Sequence, residues 1–366
     1  MNKFKVIQIL PELNIGGVER GTKDLSKVLV DKGHESIVIS NGGIFENDIV
    51  KNGGKHYKVP VHKKSLLSLR YSKTLKEIYL SEKPDIVHVR SRMPAWINYF
   101  AFKKLLEKPI LISTFHGLYS TPAYSQVMSK ADHIIAISNT VRNYIKDTYK
   151  VSDNKITTIP RGCDPLTFNK TSLNEEWLNS WYLEFPQTKN KTILTLPTRI
   201  SKWKGVDSFI ELFRLLDCNK FHGLIVGPTS KSKKRYFNDL KRKIKNLDLQ
   251  EKITFTGQRK DISNVYKISN IVFNLSVKPE PFGRTTIEAI SSGSKVIGWD
   301  HGGTQEILDE LFPEGLVELN NIVDLKNKVL EISFKDHPGP KENIYTLDRM
   351  TSKTINLYQQ LLNNDL

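Results

Sequence analysis

The sequence predicts an α/β protein of two doubly wound, parallel-sheet lobes, and three observations carry that expectation. At 366 residues the chain is longer than one hydrophobic core usually serves, so about two domains are expected. Short Val- and Ile-rich runs alternate with longer amphipathic stretches, as they do where strands buried on both faces are joined by crossover helices. The alternation lapses after Pro165 and resumes near Lys191, which divides it into two sets. Apolar residues at 39% and charged residues at 26%, with no biased tract, exclude disordered and fibrous architectures.

In the first lobe, assigned to residues 1–165, strands are read at 4–10 (FKVIQIL), 36–40 (SIVIS), 85–90 (DIVHVR), 110–114 (ILIST), 133–138 (HIIAIS) and 155–160 (KITTIP). Segments such as 19–32 and 72–81 are long enough for the helices between them. Residues 166–190, rich in Trp, Asn and Glu, lack periodicity and are read as a linker. The second lobe, 191–344, repeats the pattern with strands at 192–197 (TILTLP), 223–227 (GLIVG), 252–257 (KITFTG), 271–276 (IVFNLS) and 295–300 (KVIGWD). The tail, 345–366, has helical apolar spacing and no strand partner, so a closing helix packed across the lobes is expected. Folds of this kind bind ligands outside the carboxyl ends of their strands, here in a central cleft that the lobes face.

Composition narrows the function. Cys163 and Cys218 are far apart and belong to no CxxC or Cys/His cluster, so a disulfide framework and a structural zinc site are not indicated and a reducing cytoplasm fits. The amino-terminal residues are too poor in apolar side chains for a signal peptide, and no apolar run is long enough to span a bilayer. The net charge is +16, and residues 1–170 hold a surplus of twelve positive charges against four for 171–366. Between Lys51 and Lys104, thirteen cations face only Glu77, Glu82 and Asp85, which suggests a surface that meets a polyanion. Counterion release alone would let such a chain bind nucleic acid, but no nucleic-acid motif and no aromatic-laced basic strip accompany the charge.

The chemistry-bearing residues fall at strand ends. Gly16 and Gly17 follow the first strand and open a helix, where paired glycines and a helix dipole of roughly half a positive charge suit an anion. A plain tight turn would read the same way, and the GxGxxG dinucleotide spacing is absent. Arg90 and Arg92 follow the third strand, either contacting the cleft or lying in a solvated loop. His116, followed by Gly117, stands beyond the fourth strand, where it can hydrogen-bond a ligand hydroxyl or serve a structural role. In the second lobe Arg199 and Lys204 bracket a short loop before a helix, so a guanidinium fork, an ammonium and backbone amides can converge on a diphosphate; the P-loop pattern is absent. The densest stretch runs from Lys278 to Ala289. There Glu280 lies in a Pro-rich loop, Gly283, Arg284, Thr285 and Thr286 start a helix, and Glu288 sits in that helix. Two carboxylates thus border one anion site, one suited to the vicinal hydroxyls of a ribose and the other to a sugar or a developing positive charge.

The spacing Glu280–Glu288 within PEPFGR resembles the E-x7-E element of the family-4 retaining glycosyltransferases of GT-B fold, and residues 288–297 resemble the helix-Gly-strand segment adjoining that element in the family. Gly16-Gly17, His116-Gly117, Asp132, Ile159–Gly162, Thr198–Gly205 and Gly302-Gly303 are similar, in order, to recurrent elements of that family, so the resemblance spans the chain. It implies transfer of a sugar from a nucleoside diphosphate sugar to an acceptor hydroxyl, with retention of anomeric configuration and without a metal or other cofactor. In that reading Arg199, Lys204 and the amides of Gly283 to Thr286 hold the diphosphate and Glu288 the ribose. Glu280 and His116 attend the donor sugar, while Gly16 and Gly17 approach the phosphates or the acceptor. Pro281, where many members carry glycine, implies a stiffer loop. The implied acceptor is a glycan or glycolipid, anionic or set in an anionic membrane, as in lipopolysaccharide or surface polysaccharide synthesis. The protein would then be cytoplasmic, with room for peripheral attachment to the inner face of the membrane. Two other readings stand beside this one: a nucleotide-sugar epimerase of the same architecture, and a basic non-enzymatic binder of membrane or nucleic acid.

Overall fold

The computed structural model describes residues 3–119, 121–217, 219–335 and 338–363, so Cys218 lies outside the described residues. The chain forms two compact units, one comprising Met1–Pro160 with Leu347–Leu366 and the other Arg161–Thr346.

The first unit is built on strands β1 (Lys5–Ile9), β2 (Glu35–Ser40), β3 (Lys55–Lys58), β4 (Ile86–Val89), β5 (Ile110–Phe115), β6 (His133–Ala136) and β7 (Ile156–Thr158). All pair in parallel in the order β3-β2-β1-β4-β5-β6-β7. The order reverses between β1 and β4, which makes their carboxyl ends the unit's switch point. Val6, Ile86, Ile112 and Ile135 bury one sheet face under Leu25 and Leu29 of the helix Gly17–Asp31. The closing helix is Leu347–Leu362, and its Ile355, Leu357 and Tyr358 complete this same cluster. Strand β3 has no counterpart among the expected strands. Its sequence, KHYK, is half-exposed on the sheet edge, and Lys55 and Tyr57 reach Glu82 there instead of packing inward.

The second unit holds β8 (Thr192–Pro197), β9 (Phe221–Val226), β10 (Ile253–Gly257), β11 (Ile271–Asn274), β12 (Lys295–Trp299) and β13 (Leu316–Val317), parallel in the order β10-β9-β8-β11-β12-β13. The reversal here lies between β8 and β11. The stretch 166–190, expected as a linker, instead contributes a helix to this unit, Glu175–Glu184. Asn174 caps it, its side-chain oxygen accepting from Glu176 N at 2.7 Å. Trp181 and Phe185 pack with Ile193, Leu224, Val226 and Val265 in the core, and Trp177 stacks on Trp181 at 5.4 Å. A few large aromatic residues one turn apart bury as much surface as a full apolar stripe, so the helix lacks the periodicity that would announce it.

Candidate functional site

In the second unit the loops leaving β8 and β11 are held against each other. Gly205 adopts φ +76°, and a Cβ there would lie 2.0 Å from the Leu275 carbonyl oxygen, so only glycine permits the approach. Val277 N donates to Trp203 O at 2.8 Å across the same junction. The result is a pocket of about 170 Å³ at the switch point, lined by Thr198, Arg199 and Lys204 from one loop and by Ser276, Glu280 and Thr285 from the other side. Lys204 Nζ pairs with Glu280 Oε1, and Ser276 Oγ donates to the same oxygen at 2.5 Å. Both charged side chains are largely buried, so the carboxylate has an ammonium and a hydroxyl as neighbours in place of bulk water.

The Glu280 loop is supported by the start of the helix Gly302–Leu311. Gly303 N donates to Glu280 O at 2.8 Å, and a side chain at 303 would meet the Phe282 backbone at 2.5 Å. Gly302, at φ +64°, passes equally close to Pro279 and Glu280 N. His301 Nε2 donates to Ser276 O at 2.7 Å, and the buried Trp299 Nε1 donates to Leu275 O at 3.0 Å. The strand end and loop that carry Glu280 are therefore fixed by β12 and the residues after it, Pro281 notwithstanding.

The remaining residues expected on the donor side do not all line this pocket. Gly283, at φ +94°, precedes the helix Arg284–Ser291. Thr286 is buried, its N–H donates to Gly283 O at 3.0 Å and its hydroxyl accepts from Asn274 Nδ2 at 3.3 Å, so it faces the core and does not offer its amide to a phosphate. Glu288, one turn after Arg284, is buried and accepts from Arg284 Nη2 at 2.7 Å, an i, i+4 pair that is not part of the Lys204 pocket's lining. Its other neighbours are Tyr266 and Cys163. Burial, reinforced by the Glu288 charge, pushes the Tyr266 hydroxyl well up, and burial likewise raises the Cys163 thiol. Asn343 Nδ2 donates to Ser291 Oγ at 2.7 Å beside that thiol.

In the first unit, the residues expected at strand ends gather at the carboxyl edge of β1, β4 and β5. Gly16 is extended at φ −173°, and the Glu19 carboxylate folds back to within 2.1 Å of where a Cβ on Gly16 would stand, over the start of the helix that Gly17 opens. His116 follows β5, half-buried, and its backbone N–H donates to the Tyr119 hydroxyl at 3.3 Å. Arg92 stacks over the Tyr119 ring at 4.7 Å and donates to Thr121 Oγ1 at 3.0 Å. Arg90 departs from the solvated-loop reading. It is 5% exposed and lies with Tyr358 of the closing helix; burial lowers its guanidinium below the usual range. Tyr358 also bonds His88 Nδ1 at 2.6 Å, so a residue 270 positions away sets the environment of the β4 strand end.

Sequence reasoning does not single out Ser276 or His301, and gives Thr198 no role of its own within Thr198–Gly205. Thr198 and Ser276 are hydroxyls at strand ends and carry that weak signal; His301 has the Gly302-Gly303 doublet behind it but no chemistry readable locally.

Two parallel-sheet α/β units, one with a cationic pocket at its switch point, are the architecture of the GT-B fold. Comparison with known proteins agrees. Residues 15–165 match the description Glycosyltransferase Family 4 and residues 183–342 match Glycosyl transferases group 1. A crystal structure of a glycosyltransferase from Rickettsia africae ESF-5 is 31% identical, with a TM-score of 0.87 over 100% of both chains. N-acetyl-alpha-D-glucosaminyl L-malate synthase of Bacillus anthracis is 22% identical over 96% of each chain. The structure of Anabaena Alr3699/HepE in complex with UDP and glucose has a TM-score of 0.75 at 18% identity, over 99% of each chain. The chain belongs to the family-4 glycosyltransferases. The epimerase alternative gains no support from these matches.

Proposed function

We propose that the protein transfers a glycosyl group from a nucleoside diphosphate sugar to an acceptor hydroxyl, with retention of configuration. The observation that carries this reading is the pocket in which Arg199, Lys204, Glu280 and Thr285 converge at the β8/β11 switch point. The Arg199 guanidinium and Lys204 ammonium bind the two phosphates, helped by amides at Gly283, Arg284 and Thr285. Lys204 then shares its three donors between phosphate and Glu280, and Glu280 faces the hydroxyls of the donor sugar. Glu288, held by Arg284 one turn into the helix, accepts from the ribose. His116 hydrogen-bonds the donor sugar, and Gly16 and Gly17 border the phosphates or the acceptor.

In the reaction the bond between the anomeric carbon and the diphosphate oxygen breaks, giving an oxocarbenium-like sugar and an anionic leaving group. The acceptor oxygen attacks the same face, and its proton passes to the departing phosphate oxygen, so no side-chain nucleophile and no metal are invoked. Arg199 and Lys204 stabilise the growing negative charge, and Glu280 the positive one. The acceptor is a glycan or glycolipid of the lipopolysaccharide or surface polysaccharide class, met by the basic first unit at the inner face of a membrane. Support for the membrane part is the charge alone; among the described residues no helix is long and apolar enough to cross a bilayer.

Thermal-shift and calorimetric titration with UDP, GDP, ADP and their sugars tests the donor site, since a ligand that binds only the folded state stabilises it. One nucleotide is expected to stand out, with Lys204→Ala and Glu288→Ala each weakening it about ten- to hundred-fold, the loss of one charged hydrogen bond. Unchanged affinity in both variants would overturn the assignment.

A further inference from the structure

Within the second unit the carboxylate of Glu288 is held by two donors from different elements. Arg284 Nη2 donates to its Oε1 at 2.7 Å from one turn earlier on the same helix. Tyr266 belongs to the separate helix Ile262–Ile268, and its hydroxyl donates to the same carboxylate. Tyr266 is only 1% exposed, and a phenol taken that far out of water needs a partner for its O–H. Burial also pushes the hydroxyl's pKa well up, so it acts as a neutral donor and not as a second negative charge beside Glu288.

The backbone that carries this tyrosine is fixed. Ser294 Oγ donates to Tyr266 O at 2.7 Å and Ser269 N donates to the same oxygen at 2.9 Å. The two serines stand just before β12 and β11, so both strands anchor the residue. The Phe168 ring packs against the Tyr266 ring with centroids 6.2 Å apart. Arg284 is the looser of the two donors, a long side chain that is 33% exposed. Tyr266 is the rigid one.

Counting acceptor positions shows what is left for a ligand. An ionised carboxylate offers about four lone-pair positions. Arg284 and Tyr266 take two, and the two that remain match the pair of vicinal hydroxyls on a ribose. The Glu288 side chain is 11% exposed, which lets one edge meet a ligand and leaves little room for the group to turn.

We infer that Tyr266 is a positioning residue for nucleotide recognition: its hydroxyl fixes the plane of the Glu288 carboxylate so that the two open acceptor positions face the 2′- and 3′-hydroxyls of the donor's ribose. The inference rests on the reading of Glu288 as the ribose contact and adds what makes that contact select ribose over deoxyribose.

The test is equilibrium binding by the full chain, with no acceptor and no turnover. UDP, GDP and ADP are each titrated calorimetrically beside their 2′-deoxy counterparts, and the tightest-binding pair is used throughout. The wild-type chain is expected to bind the ribonucleotide about ten- to hundred-fold more tightly, because the deoxy form leaves a charged acceptor short of one hydrogen bond. Tyr266→Phe removes one oxygen and keeps the ring, and should cut that ratio about five-fold. General loss of stability would weaken both nucleotides alike and leave the ratio unmoved. Tyr266→Met also lacks the hydroxyl and adapts to the space differently, so it should show the same drop and serves where the phenylalanine variant does not fold. In a Glu288→Ala background, Tyr266→Phe should change the ratio no further, since its effect passes through the carboxylate. An unchanged ratio in the hydroxyl-free variants, or a further fall in the Glu288→Ala background, would overturn the role of Tyr266 alone. A wild-type chain that does not tell ribose from deoxyribose would overturn the ribose reading of Glu288 and this inference with it, while Lys204→Ala would still report on the diphosphate.

Discussion

Lys204 is the residue on which the proposed donor pocket turns, because it is already paired with Glu280. Its ammonium pairs with Glu280, which also accepts from Ser276, in a setting where both charges are mostly withdrawn from water. A diphosphate entering beside Arg199 must compete with Glu280 for that ammonium. Glu280→Gln therefore separates binding from chemistry. Removing the carboxylate charge frees Lys204, so UDP or whichever nucleotide binds is expected to bind about five-fold more tightly, about 1 kcal/mol for an ammonium no longer shared with a carboxylate. Turnover should fall by about a hundred-fold as the group facing the sugar loses its charge. Calorimetric titration beside initial rates reads both, and weakening to the extent seen in Lys204→Ala would count against the competition. The pocket members Arg199, Lys204, Glu280 and Thr285 are legible in the sequence because a strand end followed by glycine or proline and then a helix is punctuated locally. Thr286 cannot be separated from Thr285 that way, since which of two neighbouring hydroxyls turns inward depends on Asn274 beneath it. The setting of Arg90 is hidden for the same kind of reason: its hydroxyl partner is Tyr358, a residue of the closing helix.

At the scale of elements, the long Val/Ile strands are legible because burial on both sheet faces leaves a continuous apolar run. The edge strands are not. β3 satisfies its side chains with Glu82 and solvent, and β13 is two residues long, so neither writes a pattern. The helix Glu175–Glu184 hides behind its composition, being fastened by aromatic stacking and by the Trp177 Nε1 donation to Asp261 at 2.8 Å instead of by a periodic stripe. What joins the elements into a site is glycine at close crossings, and Gly205 is the sharpest case. Gly205→Ala would force an L-residue to φ +76° and drive a methyl into the Leu275 carbonyl, so the β8 loop must move. A loss of about 1–3 kcal/mol in the second unit is expected from the strained backbone and the overpacking. Urea denaturation followed through Trp177 and Trp181 measures it. Nucleotide affinity should fall in parallel, since Lys204 is the adjacent residue; a variant with wild-type stability and affinity would show that the crossing does not position the pocket.

For the whole molecule, the buried histidines set how stability depends on pH. His34, His56, His88, His133 and His222 all sit below the usual imidazole range, in each case chiefly because burial opposes the charged form. His222 is pushed down to about 4, with Lys191 adding to the effect, while its Nε2 bonds Thr254 at 2.9 Å. Because the folded values lie below the unfolded one of 6.5, the unfolded chain takes up protons that the folded chain refuses. The stabilisation is complete above about pH 6.5 and drains away as pH falls toward the folded values, at up to about 1.4 kcal/mol per pH unit for each group. Carboxylates such as Glu35, Glu82 and Glu211 are lowered by their lysine partners, so their contribution is also present at neutral pH but is lost only below about pH 4.5. The interval from pH 7 to pH 5 thus isolates the histidines. Across it, urea unfolding of the second unit should show the wild-type chain losing about 2 kcal/mol more than His222→Gln, whose amide can still bond Thr254 but binds no proton. Equal losses in the two proteins would mean that His222 is protonated in the fold, contrary to its burial within the second unit's sheet.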